Sequence, residues 1–200
     1  PREITAKYGV DALRYFLFRE MPFGNDGDFS RETLFKRYNS ELANDLGNLV
    51  SRTTTMVDMY LGGALPGRPA LDKAVVTKEL LGMSEGLDAA MRRLAFQEAL
   101  NLIWSGVRRL NERIDESKPW ALVKTDPDAV RTVLFDLVSS LRVIAGWIAP
   151  FMPGTATKMQ TQLGVRRPHP ALTPEEVLAG RPSDAKVAKT PPLFPRKEAP

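Results

Sequence analysis

Residues 31–61 read RETLFKRYNSELANDLGNLVSRTTTMVDMYL. Apolar residues recur at Phe35, Tyr38, Leu42, Leu46, Leu49, Met56, Val57 and Tyr60, mostly at intervals of three and four. That spacing is one stripe of an amphipathic helix and predicts a helix from Arg31 to Leu61. Ser30 is placed to cap it, because its hydroxyl accepts an amide hydrogen that the first turn leaves free. Thr33 stands where a capping-box Glu usually sits, with Glu32 one place earlier. Gly62 and Gly63 end the helix, since glycine enters the left-handed conformation of a helix terminus without a Cβ clash.

The same reading extends outward. Residues 9–20, GVDALRYFLFRE, predict a short buried helix, and MPFGNDGDFS after it a loop. Beyond the loop GGALPGRPA, a second long helix is expected from Thr77 to Glu116, on a stripe of Leu80, Leu87, Met91, Leu94, Leu100, Ile103, Val107, Leu110 and Ile114. Two prolines in SKPWALVKTDP, residues 117–127, interrupt it. A third long helix is expected from Asp128 to Ile148 and a shorter one from Thr155 to Leu163. After Gly164 the chain turns Pro-rich and reads as an extended tail, with one helical turn at Pro174 to Leu178. No strand alternation and no internal repeat is seen. The expected fold class is all-α, an antiparallel helical bundle. Three parts are expected: residues 1–30 in front, 31–164 as the bundle, and 165–200 as the tail.

Composition bounds what such a bundle does. Hydrophobic residues make up 43% of the 200 residues, enough for a core. Lys and Arg number 28 against 24 Asp and Glu, a net charge of +4 that permits a polyanionic partner without demanding one. The absence of cysteine rules out disulfides and thiolate metal sites within this sequence. No apolar run approaches the roughly 18 residues of a membrane span. The opening PREITAKYGV shows no secretory signal and no initiator Met, and looks like the middle of a longer protein.

Within the 31–61 helix, the run NDLGNLVSR, residues 44–52, is unusual. On a wheel of about 100° per residue, Asn44, Asn48 and Arg52 lie opposite the Leu42–Leu46–Leu49 face and form a ridge about 12 Å long. A solvated outer face would give such a ridge. Its composition favours another reading. Asn costs about 0.5 kcal/mol and Gly about 1 kcal/mol relative to Ala inside a helix, and an idle face would carry Glu, Lys or Gln. Asn offers a donor and an acceptor together, and Arg a planar fork, which suits the edges of unstacked bases. Trp120 follows a proline and lies between Lys118 and Lys124. It fits either a cap under the bundle or a platform on which a base stacks. Trp104 and Trp147 sit in apolar helical runs and read as core.

These motifs resemble a known family. NSELANDLGNLVSR and DESKPWALVK are similar to the two anticodon-binding elements of bacterial methionyl-tRNA synthetase, a class I aminoacyl-tRNA ligase. ITAKYGVDALRYFLFREMPFGNDGDFS resembles the segment that follows the family's KMSKS loop, and PPLFPRKE its terminal segment. The resemblance implies that residues 1–30 are a stem-contact linker after the catalytic domain. It implies that 165–200 fold back toward that domain. Asn44, Asn48 and Arg52 then stand where the family contacts the CAU anticodon, and Trp120 where it stacks the first base. Asn111 and Asp115 occupy neighbouring positions. Arg108, Arg109 and Lys124 suit phosphate attraction or a plain solvated patch. The implied partners are the anticodon loop of tRNA(Met) and the enzyme's own catalytic domain, with no membrane and a cytoplasmic location. ATP and Mg are implied for the intact enzyme.

The HIGH and KMSKS motifs and zinc-knuckle cysteines are absent from these residues, so no catalytic residue, cofactor or metal ligand is expected among them. His169 reads as an exposed tail residue. Two other readings stay open. DALRYFL alone fits the matching domain of another class I synthetase, such as the cysteine or leucine enzyme. A helical protein-interaction module without an RNA role is the second.

Overall fold

The computed structural model describes residues 2–21, 23–24, 29–64, 74–165, 186–187 and 191–198. Every regular element among them is helical. The helices are α1 (Arg2–Tyr8), α2 (Val10–Glu20), α3 (Arg31–Arg37), a π-helical segment (Tyr38–Gly47), α4 (Asn48–Leu61), α5 (Val75–Gly82), α6 (Ser84–Arg92), α7 (Phe96–Ser117), α8 (Pro119–Leu122), α9 (Pro127–Ile148) and α10 (Pro153–Gln162). The expected all-α bundle is what forms.

The bundle is built around α9. Every residue from Val133 to Ala145 is buried, so this helix is covered on all sides rather than along one stripe. α4, α5, α7, α8 and α10 pack against it. Two ionisable groups inside α9 are tied to helix ends. The Asp136 carboxylate accepts the Val76 and Thr77 amide hydrogens at 3.1 and 3.0 Å and the Thr77 hydroxyl at 2.8 Å. It thereby caps α5, whose own preceding residue, Ala74, has no side-chain cap to offer. Arg142 donates twice to the Leu163 carbonyl, at 3.1 and 2.7 Å, where α10 ends. Burial lowers its guanidinium pKa to about 10.

The helix over residues 31–61 forms with the expected N-cap: the Thr33 amide hydrogen reaches Ser30 Oγ at 3.2 Å. Gly62, at φ 61°, closes it in the left-handed conformation. Its middle departs from the expected regular helix. Across Tyr38–Gly47 the bonds lengthen to the π pattern, the Asn48 amide hydrogen reaching back to the Ala43 carbonyl. A polar cluster ties this segment to α2. The Tyr15 hydroxyl donates to Glu41, which also accepts from Arg37 at 2.8 Å and from Arg19 at 3.3 Å, while Arg37 also bonds Glu20. Burial, and then the Glu41 charge, push the Tyr15 phenol far above its ordinary range.

The single helix expected from Thr77 to Glu116 is three. α5 ends at Gly82, α6 ends at Arg92, and Leu94 takes φ 57° before α7 begins. The breaks let α6 lie against α7, which one straight rod cannot do. Leu94, counted in the stripe, is instead 45% exposed at this corner. Of the two prolines that interrupt the pattern, Pro119 starts the short helix α8 and Pro127 starts α9.

The tail also differs from a free extended segment. Val187 and Phe194 are buried in the main core, and residues 191–198 lie against the π segment. The helical turn expected at 174–178 and His169 fall outside the described residues.

Removal of the Asp136 carboxylate leaves the buried α5 amides without an acceptor. Asp136→Ala is expected to lower the unfolding free energy by about 1.5–3 kcal/mol, read from urea titration, with a smaller loss for Asp136→Asn.

Candidate nucleic-acid interface

Asn44 and Asn48 are both exposed on the π segment and the first turn of α4. The π segment winds less per residue than an α-helix, which keeps Asn44 on the same outer face as Asn48 and Arg52, and the three line one hollow. The Asn44 amide leans on Asp45 at 3.3 Å. Among the described residues the Asn48 side-chain amide has no hydrogen-bond partner. Arg52, one turn further, is half-buried and donates to Asp115 at 3.2 Å. Asp115 lies in the last turns of α7, and Asn111 one turn before it. Asn111 is partly buried, its amide donating to the Asp45 carbonyl at 3.3 Å and to Val107 at 3.2 Å. It clips α7 to the π segment.

Gly47 is not part of this ridge. It is buried on the other side of the helix, where a Cβ would stand 3.0 Å from the Leu42 carbonyl and 3.8 Å from Phe194. Its cost to the helix is therefore repaid by close packing in the π turn, not by the outer surface as the sequence implied.

Asn44, Asn48, Arg52, Asn111 and Asp115 line one hollow of about 370 Å³, together with Asp45, Arg108 and Glu112. Carboxylates, amides and guanidinium groups thus share one wall. Carboxylates accept from exocyclic amines, amides both give and accept, and guanidinium groups fork onto carbonyl or phosphate oxygens. Burial holds the Asp45 pKa above its ordinary value, and the Glu41 charge adds to this. Asn44 and Arg108 oppose the shift.

Trp120 lines a second hollow of about 320 Å³ with Ser51, Arg52, Thr55, Met56 and Tyr60. Local geometry aims it outward. The Lys118 amide closes α7 on the Ile114 carbonyl at 3.0 Å, and Lys118 turns left-handed at φ 43°. Pro119 starts α8 with its ring buried, which leaves Trp120 45% exposed. Tyr60 and Trp120 both face this hollow. Arg52 belongs to both hollows and divides them.

Trp104 is core as expected, whereas Trp147 is only partly buried against it. Arg109 is not free for phosphate: Glu79 holds it at 2.9 Å and Glu116 at 3.2 Å. Arg108 and Lys124 are exposed. Asp45, Glu112 and Tyr60 also line the hollows and are not among the site residues expected from the sequence. Asp45 stands inside the same polar run, and Tyr60 lies two turns beyond Arg52. Tyr60 was absorbed into the apolar stripe.

Known proteins share this fold and sequence. A family profile described as tRNA synthetases class I (M) matches residues 1–54, and one described as the anticodon binding domain of methionyl tRNA ligase matches residues 66–195. The methionine–tRNA ligase of Caldanaerobacter subterraneus subsp. tengcongensis is 48% identical over 82% of this chain and 26% of the relative. That of Bacillus subtilis is 39% identical over 100% of this chain and 31% of the relative. The apo methionyl-tRNA synthetase of Mycobacterium tuberculosis superposes with a TM-score of 0.85 at 32% identity, over 99% of this chain and 41% of that one. The chain thus spans less than a third of the curated relatives it matches. The all-helical bundle and these matches define a piece of a class I aminoacyl-tRNA synthetase. Within that class the chain belongs to the methionyl-tRNA ligase family and carries its anticodon-binding domain.

The electrostatics of the polar hollow have a measurable sign. Asp45 is expected to titrate above the ordinary aspartate range by carboxyl NMR. Glu41→Gln is expected to lower its midpoint and Arg108→Ala to raise it. Because the folded-state pKa is raised, the stability linked to Asp45 is fully present below its unfolded pKa. It is lost as pH rises through the folded one.

Proposed function

We propose that the two hollows read the CAU anticodon of tRNA(Met) for an intact methionine–tRNA ligase. The observation that carries this is the pair of adjoining hollows, one polar and one aromatic, with Arg52 as their shared wall. Neighbouring splayed nucleotides fit such a pair. The first base, cytosine, stacks on Trp120. The polar hollow, lined by Asn44, Asn48, Arg52, Asn111 and Asp115, takes the edge of the next. Cytosine and adenine both carry an exocyclic amine, and the carboxylates of Asp45 and Asp115 are acceptors for one. Arg108 and Lys124 attract the phosphates.

The intact ligase activates methionine with ATP and passes the methionyl group to the tRNA, in the cytoplasm. Its ATP and Mg sites are assigned to the rest of that enzyme, and this chain contributes specificity, not a catalytic residue. Residues 1–30 are assigned to the stem-contact linker, 31–164 to the anticodon bundle and 165–200 to a tail turned toward the catalytic domain.

The test is titration of the full chain with a CAU anticodon stem-loop and with one altered at the first base. The CAU form is expected to bind more tightly. Trp120→Ala is expected to weaken that binding by about 1–3 kcal/mol. Asn44→Ala and Arg52→Ala are expected to erode discrimination while the far-UV circular dichroism stays unchanged. A protein-interaction module instead predicts no preference among stem-loops and no effect of Trp120→Ala.

A further inference from the structure

Within residues 191–198, Phe194, Pro195 and Lys197 touch the π segment near both of its ends. The Tyr38 hydroxyl donates to the Pro195 carbonyl at 3.0 Å. The Asn39 side chain pairs with Lys197 as one strand pairs with another. Its amide donates to the Lys197 carbonyl at 3.0 Å, and its oxygen accepts the Lys197 amide hydrogen at 3.0 Å. Phe194 is buried, sits edge-on to the Tyr38 ring at 5.9 Å, and packs over Gly47.

These contacts fall on Tyr38, Asn39 and Gly47, the first two residues and the last of the π segment. A π turn is rare and is held by its surroundings rather than preferred by the backbone. From another side, Glu41 is fixed by Tyr15, Arg19 and Arg37. The tail is thus one of three holds on the turn, beside the Glu41 cluster and the Asn111 clip from α7. None of residues 191–198 lines either hollow, so any influence on a bound nucleotide passes through the helix. Asn44 lies within the clamped turn and Asn48 directly after it. Their alignment with Arg52 depends on the turn keeping its width.

We propose that residues 194–197 are a strap that fixes the π turn, and that Asn39 and Phe194 are positioning residues for anticodon recognition. This rests on the ridge being the anticodon surface. It adds that the chain's last described segment sets the fidelity of a site it never touches.

Asn39→Ala removes both strand-like bonds without opening the core, and Phe194→Ala removes the wedge. In the full chain, Asn39→Ala is expected to weaken CAU stem-loop binding about tenfold. Binding to a stem-loop altered in the anticodon should change much less. Amide exchange is expected to speed up over residues 43–48 and to stay at the parental rate in α9. Asn39→Asp keeps the acceptor for the Lys197 amide but sets a carboxylate oxygen against the Lys197 carbonyl, and is expected to bind the CAU stem-loop no better than Asn39→Ala. The strap is refuted if Asn39→Ala keeps parental affinity and discrimination, whatever Phe194→Ala does to folding. It is also refuted if binding of both stem-loops drops equally. A parent chain that does not discriminate anticodons overturns the reading of the ridge itself, and the strap's role with it. A discriminating parent with an equally discriminating Asn39→Ala overturns the strap alone.

Discussion

One helix has to serve two masters in this molecule. Residues 31–61 must push Leu42, Leu46 and Leu49 into the core while holding Asn44, Asn48 and Arg52 on the outside. A regular helix separates these sets by angle alone. The π segment does so with a wider turn, which lets the Gly47 backbone approach the tail and keeps the outer residues on one face. Three other parts of the structure exist in relation to that turn. The Tyr15–Glu41–Arg37 cluster anchors it to α2, Asn111 clips α7 to it, and the tail closes over it. The buried helix α9 supplies the floor against which α4 and α7 are set, and so fixes the distance between the two sides of the polar hollow.

Much of this was legible in the sequence wherever a local rule applies. The Ser30 cap, the Gly62 stop and the Leu42–Leu46–Leu49 stripe each act within a few residues, and each was found where expected. The exposed Asn44 and Asn48 were legible for the same reason, whereas Trp120 fitted a cap and an outward platform equally. What escaped depends on distant partners. The corner at Leu94 carries no glycine or proline to announce it, because its strain is offset by α6 packing on α7. Phe194 sits in a Pro-rich tail without periodicity, and only the bare backbone of Gly47 shows why it is buried. The π turn escaped because a polar ridge spaced by four fits both helix types. Asp136 was a signal left unread: a lone carboxylate in an apolar run needs buried donors, and α5 provides them.

The site shows the same division. Residues of the ridge were visible as a pattern and the resemblance implied Trp120, Asn111 and Asp115, but that α7 and α8 set these beside the ridge appears only in three dimensions. Arg109 makes the point in reverse. Its sequence neighbourhood looked cationic, yet Glu79, from a separate helix, occupies its guanidinium. A charge count along the chain does not distinguish an available cation from one already engaged.

The contact between Arg52 and Asp115 carries a consequence for how tightly any guest is held. A free arginine at a surface samples many rotamers, and freezing them on association subtracts from affinity. Here the guanidinium is half-buried and already bonded to an acid of α7 that lines the same polar hollow. A guest that used this fork would meet a side chain whose freedom is already restricted, and would trade places with a carboxylate. Selectivity then arises from whether the newcomer satisfies that fork better than the acid it displaces.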